Sequence, residues 1–408
     1  MIKITRRQFL SAASALSIPF LLPKFAGAQT ADTAAGDTLV CLFLRGGADG
    51  LNMVVPYGES DYYSSRPSLA LPPPGSGEEA VLDLDGFFGL HPAMSSLHNH
   101  FNLGNLALVH AAGLTHGTHS HFEAQDFVES GTAGGMYTSY GWIGRHLDSL
   151  GTGNSTLFRA IAMGAQVQKS LRGPVPVTAI SEIDKFGLIT KGGDAGEMYA
   201  STLEDLYLGN NWLDQAAQNT FGAVDQLETA DPGQFNPENG AVYPETAFGS
   251  VLLEVAQLIK SDVSPEVVCL DLGGWDTHEG QTARLQALLA ELSSGLDAFH
   301  TDLGTRMDNT VITVMSEFGR RVAENGSAGT DHGHGNCMML MGGGVVGGQV
   351  YGEWPGLLPL QLYGPGDLAI TTDYRTVLAE VVAKRLNNLA LDQVFPDFQV
   401  PEFLGICS

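Results

Sequence analysis

The stretch VVCLDLGGWDTHEGQTARLQALLAELSSGLDAFHTDLGTRMDNTVITVM, residues 267–315, holds the logic of the fold. It opens with Val267 to Leu272, a short and mostly apolar run stopped by Gly273-Gly274. It closes with Thr310 to Met315, a run of the same kind. Between them Leu285, Leu288, Leu289, Leu292, Leu296, Phe299 and Leu303 recur at spacings of three and four, which predicts an amphipathic helix over roughly Gln281 to Leu303. Strand, long helix, strand is a crossover unit. Runs that are apolar on both faces are how strands of a covered parallel sheet read.

Working outward, Thr38 to Leu44, Leu106 to His110 and Cys337 to Met341 are further runs of this type. Tyr374, Val377, Leu378, Val381 and Val382 mark the apolar face of another helix, within Asp373 to about Leu386. The pattern predicts one α/β domain with a mainly parallel sheet. The less regular middle, about residues 164–244 with Pro174-Val-Pro176, is expected to be an insertion or cap on that sheet.

With 408 residues, 44% of them hydrophobic, the chain can bury a large core. Its 20 Lys and Arg against 45 Asp and Glu give a formal charge of −25, which excludes nucleic-acid binding through a broad basic face. A small anionic substrate is compatible with that field only where a local cation offsets it. Thr5-Arg6-Arg7-Gln8-Phe9-Leu10, an apolar run from Ser11 to Leu22 and Ala26-Gly27-Ala28 resemble a twin-arginine export signal, residues 1–28. Cleavage is expected after Ala28. The twin-arginine machinery is then a partner, the location is periplasmic or extracellular, and no stable membrane insertion follows cleavage. Cys41, Cys269, Cys337 and Cys407 lack metal-binding spacing; the first three read as buried thiols.

Ligands of open α/β sheets bind beyond the carboxyl ends of the strands. There the sequence places Gly46-Gly47-Ala48-Asp49-Gly50, Gly273-Gly274-Trp275-Asp276-Thr277-His278 and Ser316-Glu317-Phe318-Gly319-Arg320. Gly329-Thr330-Asp331-His332-Gly333-His334-Gly335 lies just before the last run. Carboxylates and imidazoles crowded together need a cation to join them, and this oxygen and nitrogen mixture suits Zn, Mn, Mg or Ca. Each piece also has a plain reading: Asp49 and Asp331 as turn residues, Glu317 as a helix cap or a partner of Arg320 or Arg321. His110, His116, His119 and His121 cluster after the second strand. Ser120-His121-Phe122-Glu123 predicts a capping box with Ser120 as N-cap. The same position would hold an anion or supply a nucleophile, with Thr118 as the rival hydroxyl.

These strings, with Leu44 to Asn52 and Ser120 to Asp126, resemble a family of exported bacterial proteins with a domain-of-unknown-function label. That family is grouped with the alkaline phosphatase and sulfatase superfamily. The resemblance spans about residues 37–404. It implies an alkaline phosphatase-like α/β fold, a mixed, mainly parallel sheet sandwiched by helices, with divalent metal at the strand carboxyl ends. It further implies metal ligands at Asp49, Asp276, His278, Glu317, Asp331 and His332, and puts Ser120 near the nucleophile region. Phe318 stands where such proteins have a His ligand, and no Cys-x-Pro-x-Arg sulfatase string is present.

The expected function is an exported metal-dependent hydrolase of phosphate or sulfate esters. Ser120 or a metal-activated water would attack, and Arg45 or Arg320 would neutralise developing charge. The alternative is a non-catalytic exported binding or assembly protein on the same scaffold, with an exported protein as partner in place of a small anionic ester.

Overall fold

Side chains alternate across a strand, so a strand covered on both faces feeds two cores. Thr38–Leu44 (β1) does this: Val40, Leu42 and Leu44 enter one core, Leu39, Cys41 and Phe43 the other. The computed structural model describes residues 37–151, 156–187, 202–261 and 263–408. The export signal lies outside the described residues.

The other strands of the main sheet are Leu106–Gly113 (β2), Ala160–Met163 (β3), Thr178–Ile180 (β4), Val267–Leu272 (β5), Thr310–Ser316 (β6), Asn336–Gly342 (β7), Val350–Tyr351 (β8) and Thr372–Asp373 (β9). Their order is β8-β2-β7-β6-β1-β5-β3-β4, with β9 also on β2. β1 pairs in parallel with β5 and β6, so the two ends of the crossover unit flank the first strand. β7 is antiparallel to both its neighbours, β2 and β6. The remaining pairings are parallel. The sheet is thus mixed and mainly parallel. β4 falls inside residues 164–244 and adds an edge strand to it.

Helices cover both faces. Gln281–Leu303 packs Leu285, Leu289, Leu292, Leu296, Phe299 and Leu303 into the first core, beside Leu252, Val255 and Ala256 of Ala247–Lys260. Tyr374–Lys384 and Trp142–Ser149 pack into the second, together with Ala124 and Val128 of His121–Ser130. The four cysteines are buried and free. Cys41 and Cys269 are register partners on β1 and β5. Among the described residues no helix is long and apolar enough to cross a membrane.

The reversed strand positions the site. Residues 317–335 connect β6 to β7, closed at their base by the antiparallel bridge between Arg320 and His332. Because β7 runs backwards, the loop before it hangs over the same edge as the loops that follow β1, β2, β5 and β6.

Candidate metal centre

His121 begins the helix that follows β2, Asp276 and His278 lie on the loop after β5, and His332 lies on the loop before β7. Their side chains meet. One ligand atom each of His121, Asp276 and His332 lies within 4.8 Å of the others. Asp276 Oδ1 is 3.1 Å from His332 Nε2 and 3.0 Å from His278 Nε2. Asp276 Oδ2 is 3.5 Å from His121 Nε2.

The outer nitrogen of each ring meets an acceptor. His332 Nδ1 donates to the His119 carbonyl at 2.8 Å. His121 Nδ1 donates to Glu317 Oε1 at 2.8 Å, and His278 Nδ1 to Asp331 Oδ1 at 3.3 Å. A carbonyl or carboxylate can only accept, so the His121 proton sits on Nδ1 and its Nε2 presents a lone pair, whereas His278 and His332 face an acceptor through both nitrogens, Nε2 toward Asp276 Oδ1. The Nε2 atoms of His278 and His332 face each other at 3.0 Å. Two ring nitrogens at that separation need a proton or a cation between them. The Nε2 of His121 is buried and has no hydrogen-bond partner among the described residues. An orphaned acceptor, two further imidazoles and a carboxylate are the donor set of a transition-metal site, and the outer acceptors are what such ligands use for orientation.

Charge is arranged to keep the carboxylates ionised. Burial pushes Glu317 up, but donors from His121 and Gln125, with the backbone N–H groups of Glu317 and Gly47, outweigh it and hold the group at about 2. Burial also raises Asp276, and the bonds from Arg320 and His332 bring it down to about 2. The bond to Glu317 raises His121, whereas burial lowers His332.

The structure sorts the sequence candidates. Asp276, His278 and His332 come together as expected, and His121 joins them from the histidine-rich segment. Glu317 is fully buried behind His121 and orients it, with its second oxygen on the Ser316 hydroxyl. Asp331 stands behind His278 in the same way and also accepts from Asn325.

Asp49 does not reach the cluster. Arg66 clamps both its oxygens, at 2.6 and 3.0 Å, and Gln281 adds a third bond; the paired side chains are 0% exposed. Three of its roughly four acceptor sites are taken, two of them by an internal cation, which makes it a structural anion. Arg320 is buried and bonds Asp276 together with the carbonyls of Gly46, Gly47, Trp275 and Thr330. It is a strut that fixes Asp276. Arg45 is held by Glu129 and Asp271.

The capping box does not form. Ser120 is the N-cap, but its side chain makes no cap bond, and Glu123 accepts from Thr118 instead. The Ser120 hydroxyl is exposed, one residue before His121. Phe318 packs its ring 4.9 Å from both His121 and His332, so it forms a wall of the site. Gly47 makes room for that ring: at φ +66°, a Cβ there would lie 2.5 Å from Phe318. The other histidines turn away. His110 binds the Val54 carbonyl in the core, His116 packs edge-on against Phe127, and His119 binds Asp367.

Against known proteins, the family described as "Protein of unknown function (DUF1501)" matches residues 37–359. The chain belongs to the DUF1501 family. No curated protein matches it in sequence. Among solved structures, the zinc complex of the C-terminal periplasmic domain of EcEptC from Escherichia coli is 10% identical to this DUF1501 chain. The match covers 79% of this chain and 77% of that one, with a TM-score of 0.35. A protein in the alkaline phosphatase superfamily from Vibrio parahaemolyticus is 12% identical over 85% and 71%, with a TM-score of 0.32. Alkaline phosphatase from the Antarctic bacterium TAB5 is 10% identical over 76% and 92%, with a TM-score of 0.31. These likenesses are loose, and the chemistry of the site is read from its own geometry.

Proposed function

We propose that this DUF1501 chain is an exported, metal-dependent hydrolase of phosphate or sulfate esters. The observation that carries the reading is the convergence of the Nε2 atoms of His121, His278 and His332 on the Asp276 carboxylate, each ring bonded from behind by its own acceptor. Imidazole-rich sites favour Zn over Mn, Ca and Mg, which prefer oxygen ligands. A divalent cation held by Asp276, His278, His332 and His121 would supply Lewis-acid polarisation of an ester oxygen.

The chain's own residues do the rest. Glu317 and Asp331 hold the rings in the ligating tautomer. Arg320 fixes the Asp276 carboxylate. The start of the His121–Ser130 helix presents unpaired N–H groups and a favourable dipole to an anion. Ser120, unbonded and exposed at that start, is the candidate nucleophile, with an activated water as its rival. Arg45 and Arg320 are both committed to ion pairs, so neither is assigned to developing charge. The resemblance of residues 1–28 to a twin-arginine export signal supports a site of action in the periplasm or outside the cell.

One observation favours the other reading, a non-catalytic binding or assembly scaffold. Asp276 already accepts from Arg320 at 2.6 Å, which offsets its charge without an ion. Elemental analysis and turnover separate the two. Mature protein should carry about one equivalent of Zn or Mn, lost in His332→Ala, and should hydrolyse 4-nitrophenyl phosphate or 4-nitrophenyl sulfate. Metal-free protein inert on both esters, even after Zn or Mn is added, would favour the scaffold.

A further inference from the structure

We propose that the open crevice beside the histidine cluster binds a saccharide, specifically a sugar residue that carries an anionic group. The crevice encloses about 340 Å³ and is lined by Arg45, Phe122, Asp126, Gln166, Gln168 and Arg172, among others. That volume is within the range of small-ligand sites, about 300–1,000 Å³. It adjoins the cluster through three pairs of consecutive residues. Phe122 follows His121, and Asp126 follows Gln125, which donates to Glu317. Arg45 precedes Gly46, whose N–H also donates to Glu317.

The polar groups of the crevice are matched except in three places. Arg45 pairs with Glu129 and Asp271, and Lys169 with Asp126. Arg172 is exposed and has no acidic partner among the described residues. Gln166 is exposed as well, and Gln168 keeps a buried Oε1 that accepts nothing. Beside these lie two flat, exposed rings. Phe122 is 90% exposed and Tyr137 88%, with the Lys169 ammonium 5.4 Å over the Tyr137 ring.

Single exposed apolar residues need no explanation. Two aromatic faces at the edge of a crevice walled by amides and charge pairs have the chemistry of a sugar site. A pyranose has an apolar C–H face, which a ring covers, and a rim of hydroxyls, which amides and carboxylates bond. The free guanidinium matches a carboxylate, sulfate or phosphate substituent. A nucleoside di- or triphosphate would call for more free positive charge than one guanidinium in a chain of net charge −25. The further role of this crevice, as the subsite for the leaving alcohol, rests on the hydrolase reading; sugar binding does not.

The test uses the full mature chain on an array of neutral, uronate-bearing and sulfated oligosaccharides, followed by calorimetry on the best-bound sugar. An acidic sugar should bind better than its neutral counterpart. Phe122→Ala and Arg172→Ala should each weaken Kd by about tenfold, a hot-spot effect, while Leu389→Ala, exposed and outside the crevice, stays within about twofold of wild type. Phe122 and Arg172 are exposed, so both variants should fold, which circular dichroism checks. Absence of saccharide binding, or binding indifferent to both crevice variants, overturns the proposal. Sugar binding without ester turnover would remove the hydrolase reading and leave this one standing.

Discussion

Asp49→Asn separates a ligand from a structural anion. The resemblance puts Asp49 in a metal site; the structure buries it against Arg66, with both side chains at 0% exposure. Removing one partner of a buried ion pair leaves the other charge uncompensated and costs about 3–5 kcal/mol. Arg66 keeps bonds to Asn52 and to the carbonyls of Val322 and Arg321, so the lower half of that range is expected. Unfolding entropy near 2.1 cal/mol/K per residue gives about 0.8 kcal/mol/K for roughly 370 residues. The melting temperature should therefore fall by about 4–5 °C. The assay pairs thermal unfolding of metal-stripped protein with metal stoichiometry of loaded protein. Lower stability with unchanged stoichiometry fits the structure. An unchanged melting temperature with lost metal would refute the reasoning and return Asp49 to the ligand set.

Glu317→Gln should keep the Gly46 bond but loosen the hold on the His121 tautomer, weakening metal affinity by about 10–100-fold in a chelator competition; affinity within about twofold of wild type would deny Glu317 its orienting role. Acid should destabilise the protein well above the carboxylate range. Burial pushes His91 and His110 down to about 4, against an unfolded value near 6.5. The unfolded chain gains those protons first, so the stability from the neutral rings is full above about pH 6.5 and is lost as pH falls toward 4. At pH 5 the loss is about 2 kcal/mol per ring. Urea midpoints at pH 7.5 and 5.0 check this, and a flat profile would contradict the burial of both imidazoles as neutral groups.

Much of the fold was legible because burial on both faces erases alternation. Thr38–Leu44, Val267–Leu272 and Gln281–Leu303 occur with the boundaries their patterns predict. Strand direction was not legible: Cys337 to Met341 reads the same in either sense, and only the pairing of Asn336–Gly342 reveals its reversal. The site was legible in part. Asp276, His278 and His332 stand out as isolated polar residues beside glycines at strand ends. In sequence His121 is one of four histidines in residues 110–121 behind a plausible helix cap, a weak signal for a second metal site; only the structure brings its ring beside Asp276 and His332. Asp49 misled because its neutraliser, Arg66, sits in a segment with no motif of its own. Phe318 reads as a missing ligand in sequence; in space its ring lies 4.9 Å from His121, which reaches the cluster from another segment.

The reversed strand also sets when the site comes into being. His332 bonds the carbonyl of His119, 213 residues earlier in the chain. A ribosome adding about 5–20 residues per second leaves His121 without its partners for roughly 10–40 s. The cluster closes only after Asn336–Gly342 has emerged and inserted between Leu106–Gly113 and Thr310–Ser316. Its assembly is therefore a late event in biosynthesis, and a chain arrested before Gly329 can hold much of the sheet and still lack the centre.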